Sequence, residues 1–375
     1  MYFNRIIQSQ IEKALSQKKV IILYGARQVG KTTLVKKVIE GAPGKSLYLN
    51  CDEPDIRSLL TDSSSTELGK LIGDHKLVAI DEAQRVLNIG LTLKLLADNF
   101  PTVNVIATGS SSFELSNSIK EPLTGRKIEF RLFPLSIAEL SQSYSDIDLS
   151  RLLENNIRFG MYPEVVSSST DTASQVVNEL ADSYLYKDVL EFQSLKKPEL
   201  LEKLLTAIAL QIGNEVSFPE LAMLVGVDKN TVEKYLNLLE KAFIIFSLRP
   251  FSRNLRKEIG KKRKIFFIDT GIRNSIIRNF NSLDLRNDTG QLWENFLISE
   301  RFKYNSYSQR EVNSYFWRTY DKMEIDLVEE TGGRLSGFEF KWGKGKVRFP
   351  KAFLEEYRGS SIDLVNRENF LEFVK

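Results

Sequence analysis

Eight consecutive residues, Gly25-Ala26-Arg27-Gln28-Val29-Gly30-Lys31-Thr32, follow the pattern G-x-x-x-x-G-K-T. No other feature of the chain restricts its fold as much. The pattern makes a phosphate cradle when a strand runs into it and a helix leads out. An apolar run, Val20 to Tyr24, supplies a strand buried on both faces. A helical stretch from Thr32 to Glu40 follows, with Gly41 placed to end it. The glycines let backbone N–H groups turn inward around phosphate oxygens, and the helix N-terminus adds its positive dipole end. The candidate contacts are Gly25, Ala26, Arg27, Gln28, Val29, Gly30, Lys31, Thr32 and Thr33. Lys31 should reach the β- and γ-phosphates of ATP, and the Thr32 hydroxyl should bind Mg²⁺.

Such a loop needs a carboxylate on a neighbouring strand to hold the metal. Leu77-Val78-Ala79-Ile80-Asp81-Glu82 offers one. Asp81 stands where the strand emerges and is the expected Mg²⁺ partner. Glu82 follows as the general base that orients and activates water. A further apolar strand, Val103 to Ala107, ends in Thr108-Gly109-Ser110. Either Thr108 or Ser110 could contact the γ-phosphate or the attacking water, or both could be ordinary loop residues. Arg126, in Leu123-Thr124-Gly125-Arg126, could stabilise γ-phosphate charge in cis or from a neighbouring subunit; a plain surface arginine is the alternative.

The order of these motifs resembles the AAA-type ATPases of archaea and bacteria, near the STAND signalling branch. The resemblance implies an extra strand between the cradle strand and the Asp-Glu strand, with Ser46 to Asp52 as one of its neighbours. The sensor position here is Thr or Ser, where many relatives carry Asn.

Composition narrows the rest. The chain has 375 residues, enough for several domains, with 42% hydrophobic and 27% charged residues, as in an ordinary globular protein. Net charge is +3, so nucleic-acid binding would need a local basic patch. One cysteine, Cys51, excludes an intrachain disulfide and a cysteine-based zinc site; one histidine, His75, excludes a site built on several imidazoles. No apolar run has transmembrane length. Met1 to Gln17 reads as an amphipathic helix with Ile7, Ile11 and Leu15 on one face, and a cytoplasmic location is the default expectation.

The expected architecture is α/β in four parts. They are a P-loop NTPase parallel-sheet core of AAA type (1–135), a helical lid or connector (136–195), a winged helix (196–262) and a C-terminal α/β restriction-endonuclease-like domain (263–375). In the third part Ser217 caps a helix opened by Phe218-Pro219, with Leu221, Leu224 and Val225 as its apolar face. A turn at Gly226 leads to a second helix, Asn230 to Phe243. Arg253, Arg256, Lys257, Lys261, Lys262, Arg263 and Lys264 form a basic stretch suited to DNA or RNA phosphates. The alternative is a packing module, because Glu233 and Glu240 interrupt the second helix's exposed face.

In the last part, Met323 to Val328 and Phe338 to Trp342 alternate around Gly332-Gly333, which predicts a tight hairpin. That turn would set Ile325 opposite Phe340, Leu327 opposite Phe338 and Met323 opposite Trp342 as one apolar face. Asp326 would then face Glu339, and Glu324 would face Lys341. Opposed carboxylates repel by roughly 0.2–1 kcal/mol, which a divalent cation would reverse. Asp, then Glu-x-Lys on the next strand, resembles the site of the PD-(D/E)xK nucleases. That resemblance implies Asp326 and Glu339 as metal ligands, Lys341 as the catalytic lysine and Glu294 as an additional acid. With Phe266 to Gly271, this half also resembles the C-terminal domain of unknown function that follows the AAA module in many prokaryotic ATPases. A solvated, charge-alternating face and a protein-binding role remain the alternative reading, and the oligomeric state stays open.

Overall fold

The computed structural model describes residues 2–109, 119, 122–190, 198–253, 262–319, 321, 323–343 and 349–375. The first five strands are β1 (Val20–Gly25), β2 (Ser46–Asn50), β3 (Leu77–Asp81), β4 (Asn104–Gly109) and β5 (Lys127–Leu132). They form one parallel sheet in the order β2-β3-β4-β1-β5. Every residue of β1 and β3 is buried, as a parallel sheet covered on both faces requires. The strand inserted between β1 and β3 is β4. Ser46–Asn50 pairs with β3 at the far edge, so it is not a neighbour of the inserted strand. Local sequence does not carry strand order. Helix α1 (Ile7–Leu15) buries Ile7, Ile11 and Ala14. Helix α2 (Lys31–Gly41) leads out of the cradle, with Gly41 as its last residue.

Helices Ile137–Leu140, Asp146–Phe159, Pro163–Ser167 and Thr170–Leu190 follow the sheet. Then come Pro198–Leu210, Phe218–Val225 and Lys229–Lys241. Ser217 and Glu220 form a reciprocal cap on the second of these, and Gly226 ends it in the left-handed conformation. Leu221 and Val225 face inward, whereas Leu224 is 61% exposed, so it does not join the expected apolar face.

The second sheet has seven strands in the order β12-β11-β10-β9-β7-β8-β6. They are β6 (Glu215–Val216), β7 (Ile245–Pro250), β8 (Arg263–Phe267), β9 (Asn313–Arg318), β10 (Glu324–Thr331), β11 (Arg334–Phe340) and β12 (Ser361–Val365). Parallel pairing of β7 with β9 joins the hairpin after Lys229–Lys241 to the C-terminal strands. Gly332 and Gly333 both have positive φ, 57° and 79°, and make the tight turn between β10 and β11. Leu327 pairs with Phe338, as that turn dictates.

The single apolar face predicted for this hairpin is absent. Ile325 packs with Val328, Leu335 and Trp317, while Leu327 and Phe340 belong to the main core. An irregularity in the β10–β9 register between Ile325 and Val328 shifts the side-chain alternation. A 19-residue helix, Thr289–Tyr307, runs from this region to the end of the first sheet. No helix among the described residues is long and apolar enough to cross a membrane.

Candidate functional site

The cradle forms where β1 ends. Gly30 has φ 97°, a conformation that side chains resist, and Gln28 is also left-handed at φ 60°. The Lys31 side chain is buried and donates to the carbonyls of Gly25 and Ala26, at 3.0 and 2.9 Å. Its ammonium thus folds back across the mouth of the loop. Ala26 and Val29 are buried, Arg27 is half-buried, and Gln28 and Thr33 are exposed.

Asp81 lies beside this loop, 2% exposed, with hydroxyls on both carboxylate oxygens. Thr32 Oγ1 and Tyr48 Oη each donate to Oδ2 at 2.6 Å, and Thr108 Oγ1 donates to Oδ1. The parallel register explains the meeting, because Ile80 pairs with Ala107 and puts Thr108 next to Asp81. Thr108 also accepts from the Glu82 N–H at 3.0 Å and is fully buried. Its position orients Asp81 and Glu82. Glu82 has φ 52°, a strained backbone for a residue with a side chain, and its carboxylate accepts from Gln84 Nε2 at 2.5 Å. Burial, and then the bond to Asp81, push the Tyr48 phenol well above its usual range. Burial pushes the nearby Cys51 thiol up to about 12.

Arg126 is elsewhere. It precedes β5, whose Lys127 pairs with Val20, five residues before Gly25. That separation is about 16 Å along the strand, and Arg126 Nε pairs with Asp98 at 2.6 Å. A role in cis at the γ-phosphate is therefore corrected: the chain order hid that parallel strands put Arg126 at the opposite end of the sheet. Ser110 lies outside the described residues.

The C-terminal acids do converge, but around an internal cation. Lys264, on β8, is 1% exposed; it pairs with Glu294 at 2.8 Å and also with Glu324. Asp326 Oδ2 accepts from the Phe340 N–H at 2.8 Å. Glu339 is buried, and Lys341 is half exposed at 3.7 Å from it. Burial alone would pull the Lys264 ammonium down, but Glu294, Glu324 and Asp326 outweigh it and hold it charged. Burial pushes Glu294 up to about 8 and Glu339 to about 7, and raises Asp326 as well.

Among the described residues, no three Asp, Glu, His or Cys side chains group so as to hold a metal ion. One ammonium, Lys264, already pairs with two of the acids in this cluster. Lys264 is equally removed from the basic surface. Arg263 covers the Phe218 ring and Arg253 the Tyr357 ring, at 5.0 and 5.3 Å, while Lys262 is exposed. Arg256, Lys257 and Lys261 lie outside the described residues.

The backbone around Gly160 meets the Phe266–Gly271 segment in space. A Cβ on Gly160 would fall 1.9 Å from Asp269 Oδ1, and one on Gly271 would fall 2.0 Å from the Phe159 carbonyl. Asp269 accepts from the Met161 N–H at 2.7 Å and caps the helix Thr270–Ile276. These glycines permit close packing of backbone on a buried carboxylate. Sequence reasoning also missed Tyr48, Arg5 and Tyr307, whose contacts cross between distant segments and leave no local pattern.

Comparison with known proteins agrees with this geometry. Residues 17–141 match the family model described as "AAA domain". Residues 150–283 and 289–369 match two models described as domains of unknown function, DUF8612 and DUF4143. An uncharacterized protein of Mycobacterium tuberculosis is 27% identical over 341 residues, covering 90% of this chain and 74% of the relative. One from Methanocaldococcus jannaschii is 26% identical over 317 residues, covering 79% and 69%. A solved Walker-type ATPase of Pyrococcus abyssi superposes with a TM-score of 0.52 at 19% identity, covering 74% of this chain and 96% of that one, which is a likeness of fold. The first third of the chain therefore pairs a five-stranded parallel sheet and a G-x-x-x-x-G-K-T loop with a match to the AAA domain model.

Proposed function

We propose that this chain is a Mg²⁺-dependent ATPase of AAA type, an ATP-driven switch coupled to a winged helix (196–262) and a restriction-endonuclease-like domain (263–375) that contact nucleic acid. The helical segment 136–195 is its lid or connector, and the cytoplasm is its compartment. The observation that carries the reading is the Asp81 carboxylate, bonded to Thr32 and Tyr48 next to Lys31.

The donor set fits the metal. A threonine hydroxyl and a carboxylate are hard oxygen ligands, which Mg²⁺ prefers. Thr32 and Asp81 would hold it, and when bound it would neutralise charge on the β- and γ-phosphate oxygens. The rest falls to the chain. Lys31 exchanges the Gly25 and Ala26 carbonyls for phosphate oxygens. Backbone N–H groups of residues 25–33 bind the remaining phosphate charge. Thr108 holds Asp81 and the Glu82 backbone in place. Glu82 orients a water and takes its proton as the water oxygen attacks the γ-phosphorus, and the bond to the β–γ bridging oxygen breaks to leave ADP and phosphate. Phosphate release from purified protein with Mg²⁺ tests this. Glu82→Gln should bind ATP without hydrolysing it; normal turnover in Lys31→Ala would refute the site.

The internal Lys264 favours a second reading for the C-terminal half. On that reading the chain is a signalling or scaffolding ATPase whose last domain binds a protein partner and cuts nothing. Incubation with plasmid, single-stranded DNA or RNA, Mg²⁺ or Mn²⁺, with and without ATP, separates the two. Cleavage lost in Asp326→Ala or Lys341→Ala supports the nuclease. No cleavage together with no salt-sensitive nucleic-acid binding supports the scaffold.

A further inference from the structure

The cradle is held from beneath by a residue outside its motif. Arg5 precedes α1, is 6% exposed, and uses its whole guanidinium. Nη1 donates to the Val29 carbonyl at 2.6 Å, Nη2 to the Phe133 carbonyl at 2.6 Å, and Nε to Glu139 at 2.9 Å. Nη2 also reaches the Tyr307 hydroxyl at 3.3 Å, and that hydroxyl accepts from the Phe133 N–H at 3.1 Å. Glu139 is fixed in turn by the N–H groups of Ile6 and Ser136, both at 3.1 Å. The fork therefore touches the cradle, the end of β5, the first lid helix and the last residue of Thr289–Tyr307.

The bond to Val29 has a definite consequence. A trans peptide is planar, with its C=O and N–H pointing opposite ways. Anchoring the Val29 oxygen to Arg5 turns the N–H of Gly30 away from Arg5. That N–H belongs to the glycine whose left-handed backbone opens the cradle. A lysine could hold one of these carbonyls but could not span the fork, because only a guanidinium offers several donors in one rigid plane.

We propose that Arg5 is a positioning residue that aims the Gly30 N–H at the bound phosphate, and that Tyr307 completes its support, so that the nucleotide site depends on the C-terminal half of the chain. The inference rests on the nucleotide-binding reading above. Between Tyr307 and Glu294 the helix rises about 20 Å, so one rigid element carries the support of the cradle at one end and a member of the Lys264 cluster at the other. Coupling between two sites is reciprocal: whatever the helix does to nucleotide affinity, nucleotide does to the helix.

The test uses the full chain, a fluorescent ATP analogue with Mg²⁺, and thermal unfolding without nucleotide. Tyr307→Phe keeps the ring and loses the hydroxyl. It should melt within a few degrees of the natural protein yet bind the analogue three- to tenfold more weakly, with KM raised and kcat little changed. Arg5→Lys should weaken binding more than tenfold, and Arg5→Gln further still. Folded Tyr307→Phe and Arg5→Lys proteins with unaltered affinity would overturn the proposal while leaving the nucleotide reading intact. No binding by the natural protein would defeat both. Hydrogen exchange on the natural protein needs no variant: ATP should slow exchange of amides in 300–307, and unchanged exchange with ATP bound would count against the proposal outright.

Discussion

A buried carboxylate, Asp81, and a cluster of acids around Lys264 occupy the two halves of this molecule, and they differ in what neutralises them. Asp81 is surrounded by the hydroxyls of Thr32, Tyr48 and Thr108, which are dipoles with no net charge. Glu294, Glu324 and Asp326 share the full positive charge of Lys264. A carboxylate held by neutral donors still attracts a cation; a set already paired with an ammonium attracts one far less. The difference also separates their partners by origin. Asp81 meets Tyr48 and Thr108 from its own sheet and Thr32 from the helix that leaves the cradle, whereas Lys264 arrives from β8, the hairpin that pairing of β7 with β9 fastens to the C-terminal strands.

The sharpest way to break the comparison is to remove each cation. Lys31→Ala should lower ATP turnover on the order of a thousandfold, about 4 kcal/mol in the barrier, with the fold retained by circular dichroism. Lys264→Met should act on stability instead. It leaves several buried carboxylates without their counter-charge and should cost about 3 kcal/mol in guanidinium unfolding at pH 8. If Lys264→Met is neutral in stability but newly binds Mn²⁺ without nucleotide, the second cluster is a blocked metal site and the contrast drawn here narrows.

A smaller effect follows from Glu294, whose folded value of about 8 lies above its unfolded value. For a carboxyl raised on folding, the stabilisation is complete below about pH 4 and is lost as the pH rises through about 8. The natural protein should therefore lose stability over that window. Glu294→Gln should flatten the loss by roughly 2 kcal/mol between pH 5 and 8.5, as measured by denaturant midpoints. Tyr48→Phe should cost about 1 kcal/mol and shift ATP affinity a few-fold, since Thr32 still reaches Asp81. Arg126→Ala should leave turnover of isolated monomers unchanged. A loss confined to concentrations at which the protein sediments as an oligomer would assign Arg126 to a neighbouring subunit's site.

Much of the first site is legible in the chain because its determinants are local. The G-x-x-x-x-G-K-T spacing, the apolar run before it and the Asp-Glu after a second run need no knowledge of distant contacts. The Gly332-Gly333 turn is local too, and so is the pairing of Leu327 with Phe338 that it sets. The irregularity beside Ile325 is not, because it depends on β9, a strand from outside the hairpin. The same holds for the position of Arg126, because β5 lies parallel to β1 and so starts at the far end of the sheet.

The sequence by itself determined a phosphate cradle, its carboxylate partner and the hairpin turn, since each is a short pattern whose backbone conformation its own residues dictate. The tertiary structure alone decided that Tyr48 and Thr108 hold Asp81, that Lys264 neutralises the C-terminal acids, and that Arg5 and Tyr307 stand beneath the cradle. The physical reason is range. Turns and caps are set by neighbours a few residues away, whereas a buried charge finds its partner only when strands and helices far apart in sequence have packed and excluded water.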